Sequence, residues 1–317
     1  MIRAVARSPV PCVLDCDPGH DDAIALLLAC GDPTIDLRAV TTVCGNGTLD
    51  RVTENARRVL TLAGATDVPV AAGAARPLVQ DLVTAPDVHG VSALDGAELP
   101  APRVPLDPRP AQELLATLAQ QAEPLTLIAT GPLTNVAIAL EAEPELAGRL
   151  TEIVWMGGST SFGNVTPLAE FNAAVDPEAV DRVLSAGVPF TMVGLNLTHQ
   201  ALATPAVVDR LRPVGRGIGD VIAGWLSFFG RSYLDVHGVP APPLHDPCAV
   251  ALVADPDVMR CADAFVAVEL EGRWTRGATV VDVRGGLGRP ANARVAIELD
   301  VERFWHLVVR GVSSLGR

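Results

Sequence analysis

The sequence predicts an α/β protein with a mostly parallel central sheet flanked by helices, and three observations carry that reading. Short β-rich runs alternate with helical patterns along most of the chain; 49% of the 317 residues are hydrophobic, enough for a sizeable core; and no low-complexity linker or internal repeat divides the sequence. Residues 10–14 read as a strand and residues 21–30 as the helix that follows it. A strand at 37–43 and a helix at 49–62 repeat the unit. Further strands fall at 68–71, 125–129, 153–156 and 190–193, with helices at 111–121, 133–140 and 177–186 between them. Beyond residue 201 the pattern becomes more helical, and Val239-Pro240-Ala241-Pro242-Pro243 marks a loop returning to Leu244-His245-Asp246-Pro247. Strands at 264–270, 279–283 and 293–299 precede a last helix starting near residue 300. The expectation is a single domain, 1–317, of the open α/β, Rossmann-like kind with a more helical C-terminal part. In such sheets ligands bind beyond the carboxyl ends of the strands.

Composition removes several function classes. A net charge of −13 and a pI near 4.8 argue against a surface that neutralises phosphates, so no nucleic-acid partner is expected. All 24 basic residues are Arg. Without a Lys amine there is no Schiff-base or pyridoxal chemistry and no P-loop. Cysteines 12, 16, 30, 44, 248 and 261 form no C-x-x-C pair and read as reduced, partly buried thiols of an intracellular protein. The longest apolar run, residues 23–30, is far below the roughly 20 residues of a membrane span, so no membrane partner is expected. The N-terminal residues show no signal-peptide core, which makes a cytoplasmic location the expectation.

The chemistry concentrates in Asp15-Cys16-Asp17-Pro18-Gly19-His20-Asp21-Asp22. Four carboxylates, Asp15, Asp17, Asp21 and Asp22, directly follow an apolar strand and would repel one another unless a cation or proton offsets them. Oxygen donors without nearby Cys or His at metal spacing favour Ca²⁺ or Mg²⁺ over zinc. Helix capping accounts for Asp21 or Asp22 but not for all four. An EF-hand loop starting at Asp15 fails because positions five and twelve hold Gly19 and Leu26. A haloacid-dehalogenase-type phosphotransferase fails because Gly19 replaces the Thr or Val after the second Asp and the chain has no Lys.

The string Asp15 to Ala23 resembles the N-terminal signature of the inosine-uridine nucleoside hydrolase family. Further blocks with the same look follow in family order: Thr41-Thr42-Val43-Cys44-Gly45-Asn46, Val88-His89-Gly90, Ala129-Thr130-Gly131-Pro132-Leu133-Thr134-Asn135, Met156-Gly157-Gly158, Glu170-Phe171-Asn172 with Asp176-Pro177-Glu178-Ala179, Leu197-Thr198-His199-Gln200 and His245-Asp246-Pro247-Cys248. The resemblance implies a Ca²⁺ held by Asp17, Asp22, Asp246 and the backbone carbonyl of Thr130, with water and the ribose 2′- and 3′-hydroxyls completing the shell. It implies hydrolysis of the N-glycosidic bond of ribonucleosides, with Asp17 as general base toward a metal-activated water and no covalent intermediate. His245 is the expected acid for the leaving base, because imidazole titrates near working pH and stands beside a metal ligand. His89 is expected to orient the base. Asp21, Asn46, Asn164, Glu170 and Asn172 are expected to bind ribose, Asn164 and Glu170 at the 5′-hydroxyl, Asp21 and Asn172 at the 2′- and 3′-hydroxyls, with Met156 against the sugar. Asp15 supports the ligands from behind. Base preference is expected to come from a mobile segment before His245 carrying Phe228, Phe229, Arg231, Tyr233 and His237, and to be broad or pyrimidine-leaning. The resemblance further implies a homodimer or homotetramer. The competing reading is a non-catalytic Ca²⁺-dependent nucleoside sensor, which the presence of both Asp17 and His245 disfavours.

Overall fold

The computed structural model describes residues 8–121 and 123–316. Residues 1–7, on which the expectation of no signal segment partly rests, lie outside the described residues. The sheet has nine strands: β1 (Val10–Cys16), β2 (Ile35–Thr42), β3 (Val70–Ala72), β4 (Leu125–Ala129), β5 (Leu150–Met156), β6 (Phe190–Val193), β7 (Met259–Val268), β8 (Thr279–Asp282) and β9 (Ala293–Leu299). Their order is β3-β2-β1-β4-β5-β6-β9-β7-β8. Every pair from β3 to β9 is parallel; β7 runs antiparallel to both β9 and β8. The chain therefore starts in the middle of the sheet, winds outward to β3, and returns to place β4 on the other side of β1. Loops leaving β1 and β4 diverge to opposite faces and open a crevice at their carboxyl ends. The acidic loop and Thr130 sit at this switch point.

The helices are α1 (His20–Gly31), α2 (Leu49–Ala63), α3 (Pro86–His89), α4 (Ala111–Ala119), α5 (Thr134–Ala142), α6 (Phe171–Val175), α7 (Pro177–Ser185), α8 (Leu195–Thr198), α9 (Pro205–Leu211), α10 (Ile218–His237), α11 (Asp246–Ala254) and α12 (Val301–Leu315). Alternation along β1 feeds two cores. Cys12, Leu14 and Cys16 face α1, α10, α11 and α12, whereas Val13 faces α4, α5 and α7. Helix α1 is apolar almost all round because α2, α10, α11 and α12 all pack on it, which buries Ala23 through Ala29. The six cysteines are free thiols.

The expected elements are present with small shifts at their ends. Strand β7 begins at Met259, five residues before its expected start, because the ladder with β9 already pairs Met259 with Leu299 and Arg260 with Glu298. The one-turn helices α3, α6 and α8 are too short to produce a periodic signal. Phe228, Phe229, Arg231, Tyr233 and His237, expected on a mobile segment before His245, lie in the 20-residue helix α10, whose Trp225 and Phe229 enter the core. No helix among the described residues is long and apolar enough to cross a membrane.

Candidate active site

The turn from β1 into α1 is built around Asp22. Its Oδ2 accepts from the Gly19 backbone N–H (3.1 Å) and the Asn46 amide (3.1 Å), and its Oδ1 from the Thr130 hydroxyl (2.8 Å) and the Asp17 N–H (3.4 Å). One carboxylate thereby ties the loops after β1, β2 and β4 together. Asp17 is wedged between the other two loops. Oδ2 accepts the Asn46 N–H at 2.6 Å, and the Asn46 amide donates to the Asp17 carbonyl at 3.1 Å. A Cβ on Gly45 would stand 2.0 Å from Asp17 Oδ2, and one on Gly131 would stand 2.8 Å from Oδ1, so both neighbours must lack a side chain. Asp15 points to the α5 face, where Thr41 (2.6 Å) and Asn135 (2.7 Å) donate to Oδ1.

Asp15, Asp17, Asp21, Asp22 and Asp246 are all buried, and no Arg forms an ion pair with any of them among the described residues. Asp21, Asp22 and Asp246 each place a carboxylate oxygen within 4.8 Å of the others. Asp17 lies outside that trio and joins it through Asp22. Burial, then mutual repulsion, pushes Asp17 and Asp246 well above the ordinary carboxylate range; Asp21 is raised to about 7 by the same causes. Asp17 Oδ1 is buried with no hydrogen-bond partner. A hard divalent cation fits this donor set: clustered oxygens, surplus negative charge and an unpaired buried lone pair. The Thr130 carbonyl accepts from the Asn172 amide at 2.8 Å and keeps a second lone pair.

Above the carboxylates lies a cavity of about 280 Å³. It is lined by Asp21, Asn46, His89, Thr130, Met156, Asn164, Glu170, Asn172, His245 and Asp246, so it gathers the expected sugar- and base-binding residues into one space, while Asp17 and Asp22 sit beneath its floor. Asn172 donates its amide to the Thr130 and Met156 carbonyls (2.8 and 3.0 Å), which turns its oxygen free as an acceptor. Asn164 Oδ1 accepts from the Phe171 N–H at 2.9 Å, leaving its NH₂ as a donor. Glu170 caps α6: its oxygens accept from the N–H groups of Asn172, Ala173 and Gly158, and burial raises it to about 7 despite them.

Another wall of the cavity is formed by α10 and the start of α11. His245 Nδ1 faces the Thr198 hydroxyl at 2.7 Å and Nε2 faces the Tyr233 hydroxyl at 3.3 Å. Burial drives the imidazole down to about 3, with His199 and His237 adding to the effect, so it is neutral at pH 7. Phe229, Tyr233 and His237 line the cavity. Phe228 instead stacks on His20, and Arg231 lies exposed beside Ser227. Sequence reasoning assigned no role to Thr198, Asn135 or His20, although each stands within or beside a quoted block. Val83, Thr84 and Val236 also line the cavity and carry no chemical signal in the sequence.

The pattern of one protein family, inosine-uridine preferring nucleoside hydrolase, matches residues 12–306. Among curated relatives, the pyrimidine-specific ribonucleoside hydrolase RihA of Salmonella arizonae is 43% identical over 309 residues, covering 97% of this chain and 99% of that protein. RihA of Escherichia coli is 44% identical over 301 residues, covering 94% and 97%. Among solved structures, a purine-preferring ribonucleoside hydrolase from Gardnerella vaginalis superposes with a TM-score of 0.90 at 30% identity over 96% of this chain and 99% of that one. An inosine-guanosine nucleoside hydrolase does so with a TM-score of 0.86 at 31% identity over 95% and 98%.

Proposed function

The chain belongs to the inosine-uridine preferring nucleoside hydrolase family, and on that premise we propose that it hydrolyses the N-glycosidic bond of ribonucleosides, with Ca²⁺ as cofactor and pyrimidine nucleosides as preferred substrates. The observation that carries this reading is the single cavity in which hydroxyl-binding amides, a buried carboxylate nest and His245 converge. The pyrimidine preference draws support from RihA relatives at 43–44% identity against purine-named structures at 30–31%.

Departure of the base leaves positive charge on the ribose ring, and buried carboxylates around the ring offset it. Ca²⁺ held by Asp17, Asp22, Asp246 and the Thr130 carbonyl would lower the pKa of a coordinated water and hold the ribose diol. Asp17 Oδ1, the lone pair without a partner, accepts the proton of the attacking water. Asp21 and the free oxygen of Asn172 hold the 2′- and 3′-hydroxyls, Asn46 fixes Asp17 and Asp22, and the Asn164 NH₂ reaches the 5′-hydroxyl beside Glu170. Met156 packs against the sugar.

His245 is neutral before substrate binds, because burial disfavours the charged imidazole. To act as the acid it must first take a proton from solvent, a step that the negative charge developing on the leaving base favours; the proton then passes to the base and the ring returns to neutral. The Tyr233 hydroxyl at Nε2 and the Thr198 hydroxyl at Nδ1 hold the ring for that transfer. The deciding experiment is release of reducing sugar from uridine and inosine, with chelator and after Ca²⁺ is restored. No release from either nucleoside at high enzyme concentration would sink the reading.

A further inference from the structure

Thr279 opens β8, the last strand of the sheet, and does not line the cavity, yet its hydroxyl makes two hydrogen bonds to one residue of the turn that leaves β5. Oγ1 accepts the Ser159 backbone N–H at 2.8 Å and donates to the Ser159 carbonyl at 2.6 Å. A hydroxyl can do both at once, so one side chain from the edge of the sheet occupies both backbone groups of Ser159. The residue before it, Gly158, has a left-handed φ of 67°, and a Cβ there would stand 2.7 Å from Thr279 Cγ2. The same hairpin presses on α6: Gly277, at a φ of 81°, would place a Cβ 2.9 Å from the Ala174 Cα.

The turn held in this way supports two cavity-lining side chains, Asn164 and Glu170. The Gly158 N–H donates to Glu170 Oε2 at 2.8 Å, and the other N–H groups on that carboxylate, from Asn172 and Ala173, belong to α6. Ser159 Oγ accepts the N–H groups of Ser161 and Phe162, both at 3.3 Å, and so shapes the root of the loop that leads to Asn164. Asn164 closes that loop: its N–H meets the Ala169 carbonyl at 3.2 Å and its Oδ1 accepts the Phe171 N–H at 2.9 Å. A shift of Gly158-Ser159 would therefore move a donor to Glu170 and the root of the Asn164 loop together.

We propose that Thr279 is a positioning residue for the ribose 5′-hydroxyl: acting through Gly158-Ser159, it sets Glu170 and Asn164 where that hydroxyl needs them, and so sharpens selection of ribonucleosides over 5′-deoxyribonucleosides. This rests on the nucleoside hydrolase reading above. Without the Thr279 hydroxyl the Ser159 N–H and carbonyl lose their partners, and they regain them only from water or by moving. A small displacement of groups that hold a substrate hydroxyl weakens discrimination against the analogue lacking it.

Two measurements test it. In kinetics, the wild type should prefer uridine over 5′-deoxyuridine. In Thr279→Val, which keeps the shape of the side chain and removes its hydroxyl, the ratio of kcat/KM for uridine to that for 5′-deoxyuridine should fall about tenfold, with turnover of 5′-deoxyuridine little changed. Thr279→Ala should give the same result if the valine variant does not fold, and Thr279→Ser should restore the ratio. In hydrogen exchange followed by mass spectrometry, the peptide spanning residues 157–164 should exchange faster in Thr279→Val and Thr279→Ala than in the wild type and Thr279→Ser. An unchanged ratio, an equal loss on both nucleosides, no restoration by serine, or unchanged exchange overturns the proposal and leaves the hydrolase reading intact. A wild type that hydrolyses the two nucleosides equally well also overturns the proposal alone. A wild type inactive on both overturns the hydrolase reading, and the proposal with it.

Discussion

The Asn46 backbone N–H donates to Asp17 Oδ2 over 2.6 Å, while Asp17 Oδ1 is buried without a partner. One oxygen of this carboxylate is thus held by the fold and the other is left for chemistry. Loss of the side chain removes the proton acceptor and a metal donor together. Asp17→Ala should lower kcat by about 10² to 10⁴-fold or more, measured by ribose release. A near-normal kcat would take the base role away from Asp17.

The close backbone approach around Asp17 makes its neighbours sensitive. In Gly45→Ala the new methyl meets Asp17 Oδ2 at 2.0 Å, and neither Gly45 nor Gly131 has a left-handed φ, so the effect is steric rather than conformational. We expect a stability loss of about 1–3 kcal/mol together with a fall in kcat. Denaturant melts and turnover of the same preparation check this, and retention of full activity would refute the tight packing of Asp17.

His245→Ala should separate substrates by leaving group. Uridine, whose base needs a proton to depart, should lose about 10²-fold in kcat, whereas 4-nitrophenyl riboside, with a stable anion, should lose far less. Equal losses on the two would move the acid role elsewhere.

A cation that binds the folded carboxylate nest and not the unfolded chain must stabilise the protein. At a Ca²⁺ concentration 100 times its Kd the gain is about 2.7 kcal/mol, visible as a raised Tm. Asp246→Asn should reduce that gain, because Asp246 is one of the three clustered carboxylates. A Tm indifferent to Ca²⁺ and chelator would argue against the site.

Asp32 tests the electrostatics away from the site. Burial alone would raise it, but Thr34 donates its N–H and hydroxyl, Arg310 donates at 2.8 Å, and the net effect is a lowered pKa. A carboxylate lowered on folding stabilises above its unfolded value of about 3.9 and loses that contribution as pH falls through the folded value. Asp32→Ala should therefore cost about 1–3 kcal/mol at pH 7, and the gap to wild type should narrow in acid melts. A gap of constant size would refute the ionic contribution.

The sequence by itself determined the β-α alternation, the acidic loop after the first strand and the blocks that recur in family order, because these are local: periodicity, turn residues and motif spacing lie within a few residues of one another. Asp21, Asn46, His89, Asn172, His245 and Asp246 were each legible in such blocks. Only the tertiary structure decided what stands around them. The strand order put β4 beside β1 and so brought Thr130 to Asp22. The packing of α10 turned Phe229, Tyr233 and His237 into the cavity and Arg231 outward. Thr198 met His245 across 47 residues, and His20 met His89 across 69. Asp15, Asp17, Asp21 and Asp22 appeared in the sequence as a crowd of equal charges. Their separation into a carboxylate anchored at one oxygen by Thr41 and Asn135, one anchored at one oxygen by the Asn46 N–H, and two clustered with Asp246 came from long-range hydrogen bonds and burial, which no local pattern of residues encodes.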